Sequence, residues 1–267
     1  MASILTDQTH SDVVFSTIPQ RIVSVVPSQT ELLCDLGLEE KLVGITKFCV
    51  HPGHLKKEKQ IVGGTKKVKY EKIIGLKPDI IIANKEENTL EMVTALRKIA
   101  PVWVTDIASV EDNSRMISDF GKIFNCNDKA HNLIQDIDSA LVNFTKLIRD
   151  KPLHKALYLI WKNPYMAAGG STYINEILKL NRFSNICGSV TRYPEIDLQQ
   201  LVKDYEPGVI LLSSEPYPFK EKDADEIRKF ATKSKVILVD GEMFSWHGSR
   251  LLKAISYFAA LELDFRT

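Results

Sequence analysis

Aromatic side chains are concentrated in the segments that follow the most apolar runs of the chain. Aromatic faces provide a large contact area for a flat ligand such as a macrocycle. As a whole they predict a ligand-binding surface, although any single ring could instead complete the hydrophobic core. The set comprises Phe48, Trp161, Tyr165, Tyr217, Phe219, Phe244 and Trp246, with Tyr193 just before a predicted helix.

A thiol and two imidazoles lie close together in the segment Cys49–His54. Cys49, His51 and His54 are residue types that coordinate cobalt, haem iron or zinc. Their spacing is not a standard zinc pattern, and Pro52-Gly53 places both histidines on a turn. We therefore expect no required metal or cofactor, and these three residues stay the metal candidates.

Three further positions complete the predicted ligand-binding set. Thr65 lies in the loop Gly63–Lys66, and Glu242 could accept a hydrogen bond from a ligand amide or hydroxyl. His247, beside Trp246, is a second candidate to coordinate a metal. For Glu242 the alternative is an ordinary solvated carboxylate.

The composition is typical of a globular protein and does not favour nucleic acid as a partner. The chain has 267 residues, 44% of them hydrophobic and 26% charged, with a formal net charge of +1. Such a balance gives no global field to attract nucleic acid or an anionic membrane. We expect a monomer. The four cysteines form no CxxC pair, so we expect them to be free and buried.

No catalytic signature is present in the sequence. It contains no GxSxG, HExxH, CxxC or GxGxxG pattern, so an enzyme is not predicted, although a triad assembled from distant residues stays open. The first twenty residues show no secretory signal or lipobox-like pattern. As it stands the sequence predicts a cytoplasmic protein, and a periplasmic one if a signal has been removed.

Strand and helix patterns alternate along both halves, which is typical of parallel α/β sheets. The predicted strands are Arg21–Val26, Val43–Thr46, Asp79–Ala83, Val102–Val104, Ala156–Trp161, Val209–Leu212 and Val236–Val239. The predicted helices are Thr30–Leu36, Tyr70–Leu76, Leu90–Ile99, Thr172–Leu180 and Leu198–Asp204, with Ser28 or Thr30 as the cap of the first. Glu71–Ile82 and Gln200–Leu211 both read helix, proline, buried strand, which suggests two similar lobes.

The segment Asp128–Arg149 holds no glycine or proline, and five apolar residues fall at helical spacing along it: Leu133, Ile137, Leu141, Phe144 and Ile148. It predicts a helix of roughly 33 Å that joins the two halves. An ordinary long surface helix inside one domain is the alternative. The predicted organisation is an N-terminal α/β lobe over 1–126, a connecting helix over 127–151 and a C-terminal α/β lobe over 152–267.

Four segments carry a resemblance to a known family: Arg21–Leu32, Leu38–Thr46, Val62–Gly64 and Leu76–Ala83. They resemble the helical-backbone, cluster-III substrate-binding proteins of ABC importers, most closely the vitamin B12-binding branch. Haem and ferric-siderophore binders share that fold. The resemblance covers roughly residues 14–263 and implies two lobes joined by one long helix, with a ligand cleft between them.

The resemblance also implies roles for particular residues. Relatives line the cleft with aromatic residues near Phe48, Trp161 and Tyr193, and they dock on a permease through one glutamate on each lobe. Glu71 matches the first docking position, and Gln200 stands at the second. Because Gln200 cannot form an ion pair, the sequence leaves the permease partnership in doubt.

Three functions follow as hypotheses. The first is reversible binding of a corrinoid such as cobalamin, or another metal-containing macrocycle such as haem. The second is binding of a ferric siderophore, for which Lys47, Lys85, Lys162 and Arg192 could serve. The third is a cytoplasmic metal- or cofactor-handling enzyme on the same scaffold.

Overall fold

The computed structural model describes residues 3–264, which divide into two compact units. The first unit holds the chain up to Ile107 together with Glu111–Ile137 and His247–Arg250. The second holds Ala108–Val110, Asp138–Trp246 and the chain from Leu251 onward.

The first unit is built on a five-stranded parallel sheet with the strand order β5-β4-β3-β6-β7. A two-stranded antiparallel hairpin, β1-β2, precedes it. The elements are β1 (Ser3–Thr6), β2 (Asp12–Phe15), β3 (Ile22–Ser24), α1 (Pro27–Asp35), β4 (Leu42–Thr46), α2 (Leu55–Glu58), β5 (Gln60–Gly63), α3 (Tyr70–Leu76), β6 (Ile80–Asn84), α4 (Leu90–Leu96), β7 (Val102–Thr105) and α5 (Val110–Phe124). A short 3-10 helix, Glu39–Lys41, joins α1 to β4.

The strand order gives this sheet a switch point. The chain moves outward from β3 through β4 to β5, then returns to β6 on the other side of β3. In open parallel sheets, ligands bind outside the carboxyl ends of strands at such a point. All five residues of β6 are buried, as a parallel strand covered on both faces requires.

The start of α1 differs from the prediction. The helix begins at Pro27 with Val26 as its N-cap, and no side chain makes the capping hydrogen bond. Ser28 and Thr30 therefore lie inside the helix. The Thr30 hydroxyl instead donates to the Val26 carbonyl, because a hydroxyl within a helix can return to the preceding turn.

The second unit repeats the plan with parallel strands in the order β10-β8-β11-β12, and β9 pairs antiparallel with β8. Its core combines the apolar faces of β8 and β11 with the helices that flank them. The elements are β8 (His154–Trp161), β9 (Met166–Ala167), α7 (Tyr173–Leu180), β10 (Phe183–Asn185), α8 (Leu198–Tyr205), β11 (Val209–Ser213), α9 (Glu221–Arg228), β12 (Lys235–Val239), α10 (Gly241–Ser245) and α11 (Arg250–Asp264). The helix α6 (Asn127–Ile148) contributes residues to both units.

The predicted apolar face of α6 is confirmed. Ile137, Phe144 and Ile148 are buried, and Leu133 and Leu141 are partly buried. Within the described residues, no helix combines the length and the apolar character that crossing a membrane requires.

The two helix–proline–strand segments fold alike. Lys77 caps the C-terminus of helix α3 with φ 46°, and Glu206 caps that of α8 with φ 44°. Both residues adopt the left-handed conformation that closes a helix, and each immediately precedes a proline that cannot continue it. The internal similarity in the sequence thus corresponds to a structural repeat.

The four cysteines are free, but only Cys49 and Cys187 are buried, whereas Cys34 and Cys126 are partly exposed. The expectation of four buried thiols is therefore half right. Cys34 lies in the last turn of α1, and Cys126 lies between α5 and α6.

Candidate functional site

Phe48 follows the carboxyl end of β4 and leaves 48% of its surface exposed. Its ring lies against the backbone of Gly64, because a Cβ added at that glycine would be 3.1 Å from Phe48 Cε2. The ammonium group of Lys47 lies 4.8 Å from the ring centroid. The first unit therefore holds an exposed aromatic face at the carboxyl edge of its sheet.

Thr65 is partly buried in the loop beside this ring. Its carbonyl accepts a hydrogen bond of 2.8 Å from Asn88 Nδ2, while Asn88 Oδ1 accepts one from the backbone of Asn84. Asn88 is buried, so these bonds fix the loops that follow β5 and β6 relative to each other. Thr65 thus lies on a loop whose backbone is held in place.

The trio of Cys49, His51 and His54 does not form a metal site in the described structure. Cys49 is fully buried, its sulfur lies 3.1 Å from Thr30 Oγ1, and burial raises the pKa of its thiol. A protonated, buried thiol is a poor metal ligand. His54 faces Glu39 instead, at 2.6 Å between Nε2 and Oε1, and this hydrogen bond raises the pKa of its imidazole.

In the second unit, Trp161 ends β8 and keeps 39% of its surface exposed. Tyr217 packs edge-on against it with a centroid separation of 5.8 Å, and Phe219 packs against Tyr217 at 4.8 Å. The last ring is buried. These three rings, which we call the aromatic row, run from the core to the carboxyl edge of the sheet.

A buried carboxyl group lies in the loop that follows β11. Glu215 accepts hydrogen bonds from Trp246 Nε1, at 2.9 Å, and from Ser245 Oγ, at 2.7 Å. Burial raises the pKa of Glu215 above its ordinary value, and the nearby carboxylate of Glu242 adds to the rise. Glu215 was not predicted from sequence, although an acidic residue two positions after the buried strand β11 is the signal that could have revealed it.

Two of the predicted aromatic contacts lie in the core of the second unit. Phe244 has no exposed surface, and its ring packs 5.0 Å from both Tyr158 and Phe258. Trp246 is 8% exposed and its indole N–H is held by Glu215. Both rings are therefore buried in the structure, and their contribution to ligand binding stays a prediction.

His247 is also buried, and its Nδ1 lies 3.3 Å from Ser28 Oγ in the first unit, to which both residues belong. Burial lowers the pKa of its imidazole to about 4. The ring is therefore neutral at physiological pH, and its role as a metal ligand stays a prediction.

Tyr165 and Tyr193 are partly buried residues of the second unit. Tyr165 borders a surface hollow of about 420 Å³ together with Glu226 and Phe230. Neighbouring Pro194 accepts a hydrogen bond from Ala167 N–H, which fixes the segment that carries Tyr193.

The two predicted docking residues are both exposed on helices. Glu71 lies in the first turn of α3, and Gln200 lies in the first turn of α8. The Gln200 side chain donates a 2.8 Å hydrogen bond to Asp204 one turn later. A carboxylate is therefore present on the exposed face of α8, although not at position 200.

A model of the periplasmic binding protein family matches residues 22–235. The chain belongs to this family. Among curated members of the periplasmic binding proteins, an uncharacterised ABC transporter substrate-binding lipoprotein of Bacillus subtilis is 25% identical and aligns over 95% of this chain and 83% of its own. A vitamin B12-binding protein of Vibrio parahaemolyticus is 22% identical over 73% of this chain and 70% of its own.

Solved periplasmic binding proteins share the fold. A periplasmic vitamin B12-binding protein of Vibrio cholerae superposes with a TM-score of 0.79, at 19% identity over 94% of this chain and 99% of its own. A haem-binding protein of Roseiflexus gives 0.77 at 18% identity, covering 90% and 97% of the two chains. A siderophore-binding protein solved with acinetobactin and ferric iron gives 0.78 at 17%, covering 97% and 98%. At these identities the likeness concerns the fold alone.

Proposed function

We propose that this periplasmic binding protein is the substrate-binding component of an ABC importer and that its ligand is a macrocycle with apolar faces, a corrinoid before haem. The observation that carries the proposal is the aromatic row, which exposes Trp161 at the carboxyl edge of the second unit's sheet. Phe48 provides a second exposed ring at the corresponding edge of the first unit.

Exposed rings in these places favour binding of a large flat surface. An aromatic side chain that stays partly exposed leaves apolar area in water, and covering it with a ligand recovers about 25 cal/mol for each Å². Tyr217 holds Trp161 edge-on, so less side-chain entropy is lost when a ligand covers the indole. The binding needs no cofactor and no chemical step.

Two of the four candidate siderophore cations are held in ion pairs, which favours a corrinoid over an anionic siderophore at those two positions. Lys162 is bound to Asp223 at 2.7 Å and to Glu226 at 2.6 Å, and Lys85 is bound to Asp106 at 2.5 Å. Two of the four cations that the sequence offers to a siderophore are therefore already paired within their own unit. An anionic ligand that used Lys85 or Lys162 would have to break these pairs.

Haem is the second candidate because phenol groups are available. Tyr217 is partly exposed beside Trp161, and a tyrosine phenolate is a known ligand of ferric haem iron. The cobalt of a corrinoid does not need a tyrosine phenolate as a ligand. Replacing Tyr217 with phenylalanine keeps the ring contact and removes the oxygen, so it separates the two candidates.

The importer partnership is part of the proposal. Glu71 on α3 offers an exposed carboxylate to a basic surface of a permease, and on α8 Asp204 offers the carboxylate that Gln200 lacks. We expect Glu71→Gln and Asp204→Asn each to weaken association with the permease without changing ligand affinity.

The test is a tryptophan-fluorescence titration of the chain with cobalamin, cobinamide, haemin and a ferric hydroxamate in parallel. Saturable quenching by a corrinoid that is lost in Trp161→Ala and kept in Tyr217→Phe supports the first candidate. Quenching by haemin that Tyr217→Phe weakens supports the second. A response to the hydroxamate alone, or chemical conversion of the bound ligand, would overturn the proposal.

A further inference from the structure

A cluster of three side chains on the surface of the first unit carries an inference that does not depend on the proposed ligand. His54 immediately precedes α2, Glu58 is the last residue of α2, and Glu39 comes from the 3-10 helix that follows α1. One imidazole nitrogen of His54 and one carboxylate oxygen from each glutamate all lie within 4.8 Å of one another. We propose that Glu39, His54 and Glu58 form a surface site for a divalent transition-metal ion such as Zn²⁺.

The backbone places the three donors on one side. His54 and Glu58 are four residues apart, so one helical turn brings them to the same face of α2. Leu55, between them in sequence, is fully buried and anchors that short helix to the core. Glu39 Oε1 already contacts His54 Nε2 at 2.6 Å, which shows that the two elements meet at this point.

The donor set selects the class of metal. Zinc bonds of about 2.0–2.2 Å to nitrogen and carboxylate oxygen place tetrahedral ligand atoms about 3.4 Å apart. Small side-chain rotations bring a cluster of this size to that spacing, with the ion replacing the hydrogen bond between His54 and Glu39. Three protein ligands leave a fourth position for water. An imidazole among the donors favours zinc, copper or nickel over magnesium and calcium, which prefer oxygen ligands.

The local charge also favours a dication. Two carboxylates face one imidazole, and the side chain of Lys59 is the nearby cation that opposes metal binding. The predicted trio of Cys49, His51 and His54 thus shares only His54 with the site that the structure assembles. Glu39 and Glu58 could not be recognised from sequence, because fifteen residues and a strand separate Glu39 from His54.

The experiment is calorimetric titration of the full chain with ZnCl₂ in a buffer that does not bind zinc. We expect one ion per chain, and we expect His54→Ala and Glu39→Gln each to weaken binding by about tenfold or more, the usual scale for a lost element of a metal site. Glu58→Gln should weaken it as well. Excess Mg²⁺ should not compete.

Matched controls make the outcome decisive. Glu40→Gln removes the same charge from the neighbouring exposed position, and His131→Ala removes an exposed histidine from α6. Both should bind zinc as the parent does. Equal losses in Glu39→Gln and Glu40→Gln, or undiminished binding in His54→Ala, would overturn the site, as would loss of binding in Cys49→Ser alone. Circular dichroism confirms that each variant is folded.

Discussion

At the scale of single residues, the candidate site depends on which aromatic rings remain uncovered. Phe48 and Trp161 keep 48% and 39% of their surface exposed, whereas Phe244 is fully buried. The sequence places all three after strands, so sequence position alone does not separate a binding ring from a core ring. Tertiary packing separates them.

The first prediction concerns Trp161. Trp161→Ala should weaken binding of the preferred macrocycle by about 2 kcal/mol, as loss of an aromatic anchor does, which is about thirtyfold in Kd. Fold stability should change less, because the ring is partly exposed. The measurement is a titration monitored by ligand absorbance, with Tyr205→Ala as the control, since Tyr205 is an exposed aromatic on α8. Equal losses of affinity in both variants would show that the aromatic row does not contribute to the binding site.

The second prediction concerns the support beneath Phe48. Gly64→Ala adds a Cβ 3.1 Å from Phe48 Cε2, so the ring must move, and we expect ligand affinity to fall severalfold while the chain stays folded. Gly75→Ala is the control. Nothing lies within 4 Å of its added Cβ on α3, so it should leave affinity unchanged and stabilise the helix by about 0.5–1 kcal/mol. Unchanged affinity in Gly64→Ala would separate Phe48 from ligand binding.

At the scale of elements, the segment 247–250 shows how distant parts of the chain complete the first unit. The side-chain amide of Asn113 donates a hydrogen bond to the Gly248 carbonyl and accepts one from the Gly248 N–H. Arg250 Nε lies 2.8 Å from Glu31 Oε2. Gly248 adopts φ +89°, and Leu32 is close enough to leave little room for a side chain there. The segment is thus bound to both α1 and α5.

The third prediction tests this attachment. Glu31 and Arg250 are 3% and 5% exposed, and removing one partner of a buried pair typically costs about 3–5 kcal/mol because the other charge is left uncompensated. Arg250→Met should lower the free energy of unfolding by that amount, and Glu31→Leu combined with it should recover most of the loss. Denaturant titration measures both. The exposed pair of Lys233 and Glu206 is the control, and Lys233→Met should cost less than about 1 kcal/mol.

The sequence predicts the strands of the two sheets better than the hairpin and the long-range contacts that complete the first unit. Strands such as β6 could be recognised because a parallel strand buried on both faces is almost wholly apolar. The hairpin β1-β2 was missed, because buried Asp7 holds its turn and also accepts a hydrogen bond from Val104 in β7. The link between Arg250 and Glu31 spans 219 residues. Local periodicity carries no information on contacts of that kind.

The same limit applies to the candidate site. The sequence indicates the loops after strands as the places for a site, because the carboxyl ends of parallel strands share one edge of a sheet. Glu215 was missed, since its importance comes from the hydrogen bonds that Trp246 and Ser245 donate to it. Which rings are exposed likewise depends on tertiary packing that no local pattern encodes.

At the scale of the whole molecule, the protonation state of the buried His247 imidazole is coupled to the stability of the fold. Its pKa is about 4 in the folded chain, against 6.5 for an ordinary histidine, because burial disfavours the imidazolium form. Above pH 6.5 both folded and unfolded chains hold the ring neutral, so it has no effect on stability. As the pH falls from 6.5 towards 4, the unfolded chain takes up a proton that the folded chain refuses. The free energy of unfolding must therefore fall over that window.

The fourth prediction follows from this difference. Between pH 7.5 and pH 4.5, His247 should account for about 2–3 kcal/mol of lost stability, at 1.36 kcal/mol for each unit of pKa difference. His247→Gln cannot take up the proton, so the loss between the two pH values should be smaller in it by that amount, whatever its absolute stability. Denaturant titration of both proteins at both pH values gives the comparison. His131→Gln, at an exposed position on α6, should keep the parent's pH dependence. If His247→Gln keeps it too, the acid sensitivity of the fold arises from its carboxyl groups, and the imidazole is not held neutral by burial.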